Sequence, residues 1–311
     1  MPPLQSEFSH FLPILQGATK VYLAYSGGRD SSVLLHLCHQ LDNLVLVHFN
    51  YKQSGANYSG DLTATFCRAQ AKVYQLEIIV HEAASALVQE NACRKFRYRL
   101  LRVLADQPNT IFLTAHHFND QLETLCLKLA RGASPQRWLI AEQQPFGQGV
   151  LLRPLLNMTR VDIEAYRAGH HLPYLHDPTN DEIHFRRNYL RHQVIRPLMA
   201  LNPHNFKQAL TLLTEQNSMM QQYLNILKEQ VLLTPSTITL APFLRFTPLV
   251  QRWLLQEILH SNGVRLSAGF LQQVCKRLHL RRWHYQNAHY TLTLKDQCFF
   301  MHKHQHQEIF S

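Results

Sequence analysis

The sequence predicts an α/β protein, with a Rossmann-like parallel sheet in its N-terminal part and a mainly α-helical C-terminal part. Three observations lead to this prediction. Short apolar runs alternate with helical patterns up to about residue 197, a glycine-rich turn follows the first run, and the pattern after residue 206 is largely helical. The 311 residues give room for two domains, which we place at 1–200 and 201–311.

The first strand is predicted at 21–24, and it leads through Ser26-Gly27-Gly28-Arg29-Asp30-Ser31 into a helix. Such a turn leaves backbone N–H groups free at the positive end of the helix dipole, where phosphate can bind. Glycine lets the backbone approach closely, and the serines add hydroxyl donors. Asp30 would repel phosphate unless a cation lies between them, so we interpret it as a magnesium ligand. The alternative is an ordinary strand-to-helix turn with Asp30 as the N-cap.

Further apolar runs continue the alternation of strands and helices in the first half. Strands are predicted at 44–49, 73–80, 111–115 and 150–156, and helices at 61–71, 86–105, from the segment 116–124 to residue 131, and at 160–168. Residues 186–192 open the last helix of this half. The segment 132–149 is rich in Pro, Gln and Gly, so we interpret it as a mobile loop long enough to act as a lid.

In the second half, the pattern predicts three helices and a short two-stranded element. The helices are expected at 206–232, 248–260 and 267–280, and the strands at 288–294 and 298–301 with a turn between them.

A second polar cluster follows the predicted strand 111–115. His116 ends that strand, and Asp120 and Glu123 fall in the first turn of the next helix. Because parallel strands end at one edge of a sheet, a base and two carboxylates can converge beside the phosphate-binding turn. The alternative is that Asp120 and Glu123 only cap the helix.

Basic residues outnumber acidic ones and give a formal net charge of +10, which favours a polyanionic partner such as nucleic acid. Arg94 and Arg97 share one helix face and could reach phosphates, although a solvated basic stripe explains them equally well. Arg187 and Arg191, four residues apart, are interpreted as contacts to RNA phosphates. The segment 277–285 mixes basic and aromatic residues, which suits unpaired RNA bases, but a solvated helix end with Trp283 in the core is the alternative.

Other features restrict the location and redox chemistry of the chain. The six cysteines are scattered singly without a C-x-x-C pair, so they are predicted to be reduced core residues. No apolar run approaches the length of a membrane span, and residues 1–7 do not resemble a signal peptide. We expect a cytoplasmic protein without membrane contact.

Several motifs together resemble one family. They are YSGGRDSSVLL, HFN, NACRKFRY, TAHHFNDQLETLCLKLARG, LLRPLL, HDPTN and RRNYLRHQVIRP. The first resembles the SGGxDS loop of N-type ATP pyrophosphatases, and the whole set, over residues 21 to about 197, resembles the tRNA(Ile)-lysidine synthetase family. The resemblance to that family implies a fold of the adenine nucleotide alpha hydrolase type. It also implies that ATP adenylates C2 of the wobble cytidine of an isoleucine tRNA with a CAU anticodon, after which free L-lysine displaces AMP.

The resemblance also implies roles for individual residues. Asp30 and Asp120 would handle Mg²⁺ and phosphates, Ser26 to Ser31 the pyrophosphate, and His116 and Glu123 the reacting centre. Arg94, Arg97 and Arg131 would complete the positive charge around the ATP phosphates. RNA contacts are expected from Arg153, Arg186, Arg187, Arg191, Arg281 and Arg282. His116 and the departing AMP are both candidates to take the proton of the lysine amine, and a homodimer is left open.

Departures from the family pattern leave some expectations open. Asn119 stands where members often have a second aspartate, and Tyr51-Lys52-Gln53 replaces the usual segment after HFN. We also expect no second C-terminal domain and therefore a different recognition of the acceptor stem. The rival functions are a sulfur-inserting tRNA modifier, which would need reactive or paired cysteines, a nonenzymatic RNA-binding protein, and an amidotransferase-type synthetase.

Overall fold

The structure is a computed structural model that describes residues 3–55, 58–131, 139–178 and 186–304. Parts of the predicted mobile loop, of the HDPTN motif and of the histidine-rich tail lie outside the described residues. The described chain divides into two compact units, one ending at Lys207 and one beginning at Gln208. The predicted boundary at residue 200 divides domains, which fold separately, whereas these units are only compact regions. The boundary therefore stays a prediction.

The first unit is built on a six-stranded sheet between helices. Its strands, with a small separate hairpin formed by β3 and β4, are β1 (Lys20–Ala24), β2 (Leu44–Asn50), β3 (Ser54–Gly55), β4 (Tyr58–Ser59), β5 (Glu77–Glu82), β6 (Thr110–Leu113), β7 (Gln143–Phe146) and β8 (Gly149–Leu152). Its helices are α1 (Pro3–Ser9), α2 (Leu12–Gln16), α3 (Arg29–Cys38), α4 (Gly60–Val73), α5 (Glu90–Leu104), α6 (Phe118–Ala130), α7 (Arg160–Gly169), α8 (Arg186–Tyr189), a π-helix (Leu190–Ile195) and α9 (Arg196–Leu201).

The strand order β5-β2-β1-β6-β8-β7 places the topological switch at the centre of the sheet. All neighbouring pairs are parallel except β7 and β8. From β1 the chain builds outward through β2 and β5 on one side, and through β6 and β8 on the other. Ligands of open α/β sheets bind outside the carboxyl ends of the strands at such a switch, which here lies between β1 and β6.

Alternating side chains of the central strands enter two apolar cores, one on each face of the sheet. Val21 and Leu23 of β1 lie in one core, and Tyr22 lies in the other with Phe112 of β6. Every residue of β2 is buried. Burial on both faces explains why these strands appear in the sequence as continuous apolar runs.

The structure corrects three predicted elements of this unit. The predicted strand 73–80 begins only at Glu77, because α4 continues to Val73 and Gln75 takes a left-handed conformation at φ +56°. The predicted strand 150–156 ends at Leu152, ahead of Pro154. Residues 143–149 form the edge strand β7 and a tight turn instead of a loop, with Gly147 at φ +59°.

The second unit has the predicted helices and a larger sheet than expected. The elements are α10 (Pro203–Val231, which begins in the first unit), β9 (Leu232–Thr234), β10 (Thr237–Thr239), α11 (Leu240–Phe243), α12 (Pro248–Ser261), α13 (Ala268–Arg277), β11 (Trp283–Gln286), β12 (Tyr290–Lys295) and β13 (Cys298–Lys303). The five strands form an antiparallel sheet in the order β11-β12-β13-β10-β9, and it packs on the helices through one apolar core. The predicted fold class is confirmed. Among the helices in the described ranges, none has the length and apolar character needed to cross a membrane.

Candidate active site

The glycine turn after β1 is shaped by close packing. Gly27 has φ +75°, and a Cβ atom there would lie 3.1 Å from both Cys67 Sγ and Phe66 Cδ1. A larger residue here would have a strained backbone, and its Cβ atom would collide with Cys67 and Phe66. This position therefore requires glycine. The Leu175 N–H donates to the Gly27 carbonyl at 2.9 Å and fixes the turn from outside.

Helix α3 begins without a side-chain cap. Gly28 is the N-cap residue, and no side chain accepts a hydrogen bond from the first turn. Asp30 is therefore not the N-cap, and that alternative is wrong. Ser31 Oγ donates to the Gly28 carbonyl at 2.9 Å and lies 3.0 Å from Ser26 Oγ, which holds both hydroxyl groups at the rim. The arrangement leaves a helix start with N–H and O–H donors for an anion.

A buried histidine that sequence analysis did not select supports the residue ahead of this turn. His48 of β2 lies 2.9 Å through Nδ1 from the Tyr25 carbonyl, so Nδ1 must carry the hydrogen. Its sequence signal is weak, because a histidine within an apolar strand is usually a satisfied core residue.

The second strand end meets the first through His117. This residue is the N-cap of α6 and forms a capping box with Asp120. Its Nε2 atom lies 3.6 Å from Asp30 Oδ2 and 3.8 Å from Asp120 Oδ2. The structure thus brings Asp30 and Asp120 to one point at the switch between β1 and β6. Sequence analysis selected His116 and missed His117, although a histidine three residues before an aspartate at a helix start was an available signal.

The two neighbouring histidines have opposite electrostatic environments. Burial disfavours the charged form of His117, but the Asp120 and Asp30 carboxylates raise its pKa above the ordinary value. Burial lowers the pKa of His116 to about 3; the Asp120 charge opposes this, and Arg97, Arg153 and Arg187 add to it. His116 Nδ1 also lies 2.9 Å from Thr114 Oγ1. His116 is neutral near pH 7 and is a weak base.

Both carboxylates stay charged in this environment. Burial works against the charged form of Asp30, yet His117 and Arg29 lower the pKa of its carboxyl group. For Asp120, the nearby His117, His116 and Arg187 lower the pKa against the same burial. Asp120 also caps helix α6 through the capping box. The interpretation of Asp120 as a site residue and its interpretation as a helix cap are therefore compatible.

Glu123 is fully buried and is neutralised by two arginines. Arg187 Nε lies 2.5 Å from Oε2, and Arg191 Nε lies 2.6 Å from Oε1. A second nitrogen of Arg187 reaches Asp120 at 3.1 Å. The guanidinium groups of Arg187 and Arg191 face the carboxylates of the site, and their predicted contact with RNA phosphates stays a prediction.

The structure also corrects the predicted RNA contact at Arg153. Only 4% of Arg153 is exposed, and its terminal nitrogens donate to the Ala141 carbonyl at 2.5 Å and to Gln144 Oε1 at 3.2 Å. It therefore lies inside the unit, beside β8. Arg94 and Arg97 lie around the ring of Tyr98. Among the residues that the structure describes, neither Arg94 nor Arg97 forms a hydrogen bond or ion pair with residues 26–31.

The remaining predicted arginines lie on the surface. Arg131, Arg186, Arg281 and Arg282 are exposed. In the segment 277–285, Trp283 and Tyr285 are half-buried and pack against the core of the second unit, while the Arg277 guanidinium lies over the Trp283 ring at 5.6 Å. The packing favours the alternative with Trp283 in the core, and RNA binding by this segment stays a prediction.

The carboxylates fit a magnesium ion that is shared with a phosphate ligand. Across the described ranges, no group of three or more His, Cys, Asp or Glu side chains is placed to hold a metal ion. Mg²⁺ in proteins is commonly bound by one or two carboxylates together with substrate phosphates. Asp30 and Asp120 match that pattern, because one oxygen of each lies beside the same atom, His117 Nε2, at 3.6 and 3.8 Å.

A donor-rich turn at the switch point of a mainly parallel sheet defines a nucleotide-binding α/β domain. A family model described as a PP-loop domain matches residues 2–198, and the chain belongs to the PP-loop family. The PP-loop domain implies ATP binding.

Two similar curated proteins carry the name tRNA(Ile)-lysidine synthase. The protein from Pectobacterium atrosepticum is 34% identical over 78% of this chain and 58% of its own length. The protein from Lactiplantibacillus plantarum is 35% identical over 66% of this chain and 49% of its own length. The chain thus spans about half the length of these relatives. Among solved structures, the U34-tRNA thiolase of Methanococcus maripaludis aligns with a TM-score of 0.52 at 15% identity, over 69% of this chain and 78% of that one, which shows a shared fold.

Proposed function

We propose that the chain is a tRNA(Ile)-lysidine synthase. It ligates free L-lysine to C2 of the wobble cytidine in a CAU-anticodon isoleucine tRNA, through an adenylated intermediate, and releases AMP and pyrophosphate. The observation that carries this proposal is the meeting of Asp30 and Asp120 beside the glycine turn, in a chain whose relatives have that name. An enzyme that acts on tRNA in this way works in the cytoplasm.

In the first step the C2 oxygen of cytidine bonds to the α-phosphorus of ATP and pyrophosphate leaves. The glycine turn and the start of α3 bind the leaving phosphates through N–H and hydroxyl donors. Asp30 and Asp120 would hold Mg²⁺, which would supply positive charge against the phosphates. Arg131 stays a prediction for the same phosphates. Such a reaction depends on positioning and charge neutralisation more than on a strong base.

In the second step the ε-amine of lysine bonds to C2, and AMP departs with the former carbonyl oxygen. The amine must be deprotonated, since its ordinary pKa is about 10.4. The low pKa of His116 makes it a poor acceptor for this proton. The phosphate of the departing AMP is the better of the two candidates. Glu123 keeps Arg187 and Arg191 in place around the reacting centre.

The sulfur-inserting alternative is disfavoured by the cysteines. All six are free, and Cys38 and Cys67 are buried. Burial raises the pKa of Cys67 to about 12 and that of Cys275 to about 11. A thiolate nucleophile needs the opposite shift.

Incubation of the protein with ATP, Mg²⁺, labelled lysine and isoleucine tRNA tests the proposal. We expect ATP-dependent label in the tRNA and one AMP for each lysine incorporated. A tRNA with uridine in place of the wobble cytidine is the control and should stay unlabelled. Folded protein that transfers no label to the cognate tRNA contradicts the proposal.

Asp30→Asn should abolish adenylation while tRNA affinity stays nearly unchanged, because the substitution removes a magnesium ligand and not an RNA contact. AMP formation and filter binding measure the two effects. Loss of tRNA binding together with adenylation would show that Asp30 is structural instead.

A further inference from the structure

Two arginines lie over the ring of Tyr98, and a third, Arg153, is electrostatically linked to its phenol. The guanidinium carbon of Arg94 lies 4.6 Å from the ring centroid, and that of Arg97 lies 5.8 Å away. The Tyr98 phenol opposes the lowering of the pKa that burial causes at Arg153. Arg94, Arg97, Tyr98 and Arg153 are called the Tyr98 arginine cluster below.

The positive charge of this cluster is not balanced within the described ranges. No carboxylate there forms an ion pair with Arg94, Arg97 or Arg153. The Nε atoms of Arg97 and Arg153 are both buried and have no hydrogen-bond partner among the described residues. Buried cations without counter-charges are costly, so the arrangement calls for an anion. Burial also lowers the pKa of Arg153.

The cluster lies close to His116, on the β8 side of the switch point. The charges of Arg97 and Arg153 help to lower the pKa of His116, and Arg153 directly follows β8. The glycine turn, by contrast, follows β1 and has its own donors for the phosphates of ATP. Arg187 and Arg191 are already paired with Glu123. The cluster is thus a second site for negative charge next to the reacting centre.

The exposure of its members favours a polymer over a small ligand. Arg153 is 4% exposed, Arg97 is half-buried and Arg94 is exposed, so the charge extends from the interior to the surface. A small carboxylate would need only the inner part. A nucleic acid strand carries phosphates outside and presents one base to the interior.

We propose that the Tyr98 arginine cluster binds a phosphodiester of the RNA substrate next to the nucleotide that is modified. Arg94 and Arg97 contact the phosphate, and the buried Arg153 adds positive charge from the interior. This inference rests on the proposed function. It replaces the expectation from sequence that Arg94 and Arg97 serve the ATP phosphates.

A double-mutant cycle between protein and RNA tests the inference. The probes are CAU anticodon stem-loops, each with one neutral methylphosphonate at a phosphate flanking the target cytidine. For the wild-type chain, one of these methylphosphonates should weaken binding about tenfold, the scale of a charge-assisted hydrogen bond. Arg97→Gln should weaken binding of the unmodified stem-loop to a similar extent, and the same methylphosphonate should then cost nothing further.

Arg99→Gln is the matched control, because Arg99 is an exposed arginine of the same helix whose guanidinium lies over Phe96 at 5.9 Å and not over Tyr98. It should retain the full methylphosphonate penalty. Arg94→Gln, at an exposed position, provides a second variant if Arg97→Gln fails to fold, and Arg97→Lys should restore part of the affinity.

Each result either supports or overturns the inference. An equal methylphosphonate penalty in wild type and Arg97→Gln overturns it. A rise in KM for ATP or for lysine with unchanged RNA affinity also overturns it and assigns the cluster to that substrate. A wild-type protein that binds the CAU stem-loop no better than an unrelated stem-loop contradicts the proposed function itself, together with the inference that depends on it.

Discussion

Glu123 has no exposed surface, and its charge is matched entirely by neighbouring side chains. Three hydrogen bonds reach its two oxygens, one from Arg187 and two from Arg191. Burial alone would disfavour the charged form of Arg191, but the bond to Glu123 raises its pKa above the ordinary value. Glu123 therefore positions the guanidinium groups of Arg187 and Arg191, and these two groups in turn neutralise its charge.

Glu123→Gln should destabilise the first unit strongly, because two half-buried guanidinium groups would lose their counter-charge. Removing one partner of a buried ion pair costs about 3–5 kcal/mol, and the amide oxygen recovers part of that. Denaturant unfolding monitors the change. The control is Glu164→Gln, which breaks a more solvent-accessible pair with Arg167 at 2.7 Å and should leave the midpoint nearly unchanged. Similar midpoint shifts for the two variants would contradict this assignment.

Sequence analysis placed some residues of the candidate site better than others. Asp30 and the glycines follow from a turn that only small residues can form, which makes them predictable. The choice between His116 and His117 is not predictable, because neighbouring side chains leave a strand end in opposite directions. Arg153 was expected to contact RNA, and only the fold shows that it is buried with acceptors at Ala141 and Gln144, since arginine is rarely buried.

At the level of elements, α3 and α7 pack through a group of histidines. His36 Nδ1 lies 3.0 Å from the Tyr166 hydroxyl, and its ring lies 5.3 Å from that of His39 and 4.8 Å from that of His170. Burial lowers the pKa of His36, and the charges of His170 and His39 lower it further. This contact is therefore most stable with a neutral His36.

The packing of α3 on α7 should weaken in mild acid. The unfolded chain binds a proton at His36 with an ordinary pKa of about 6.5, whereas the folded chain does so only at lower pH. The stabilisation from His36 is present above about pH 6.5 and is lost as pH falls toward the folded pKa. Melting temperatures at pH 7.5 and 5.5 should show a smaller acid-induced drop for His36→Gln than for wild type. The exposed His279→Gln should behave as wild type, and an unchanged drop in His36→Gln would contradict the assignment.

Elements with strong apolar patterns were predicted well, and elements at edges were not. β1, β2 and β6 are buried on both faces, so their sequences alone identify them. β7 contains Gln-Gln-Pro-Phe and pairs on one side only, which gives no such pattern. β11 was not predicted, because it lies among basic residues and only its alternate positions, Trp283 and Tyr285, face the core.

At the scale of the whole molecule, the net charge of +10 is carried by both units. In the second unit Arg281 and Arg282 are exposed at the start of β11. Arg282 and the neighbouring Lys295 line a shallow depression of about 300 Å³ together with Trp283, His284, Thr293 and Leu294. The fold class was predictable from the alternation of patterns, but this surface was not, because strand pairing determines which side chains share it.

Replacing Arg281 and Arg282 together with Gln should weaken tRNA binding and make it less dependent on salt. Each phosphate contact that is lost removes about 0.7 to 0.9 from the slope of log K against log salt, so the slope should fall by about 1 to 2. Lysine incorporation at saturating tRNA should stay unchanged, since these residues belong to the second unit and not to the Asp30 and Asp120 site of the first. Arg245→Gln, at another exposed arginine of the second unit, serves as the control and should keep the wild-type slope. An unchanged slope in the double variant would exclude this surface from the interface, and the charge that attracts tRNA would then have to lie elsewhere on the chain.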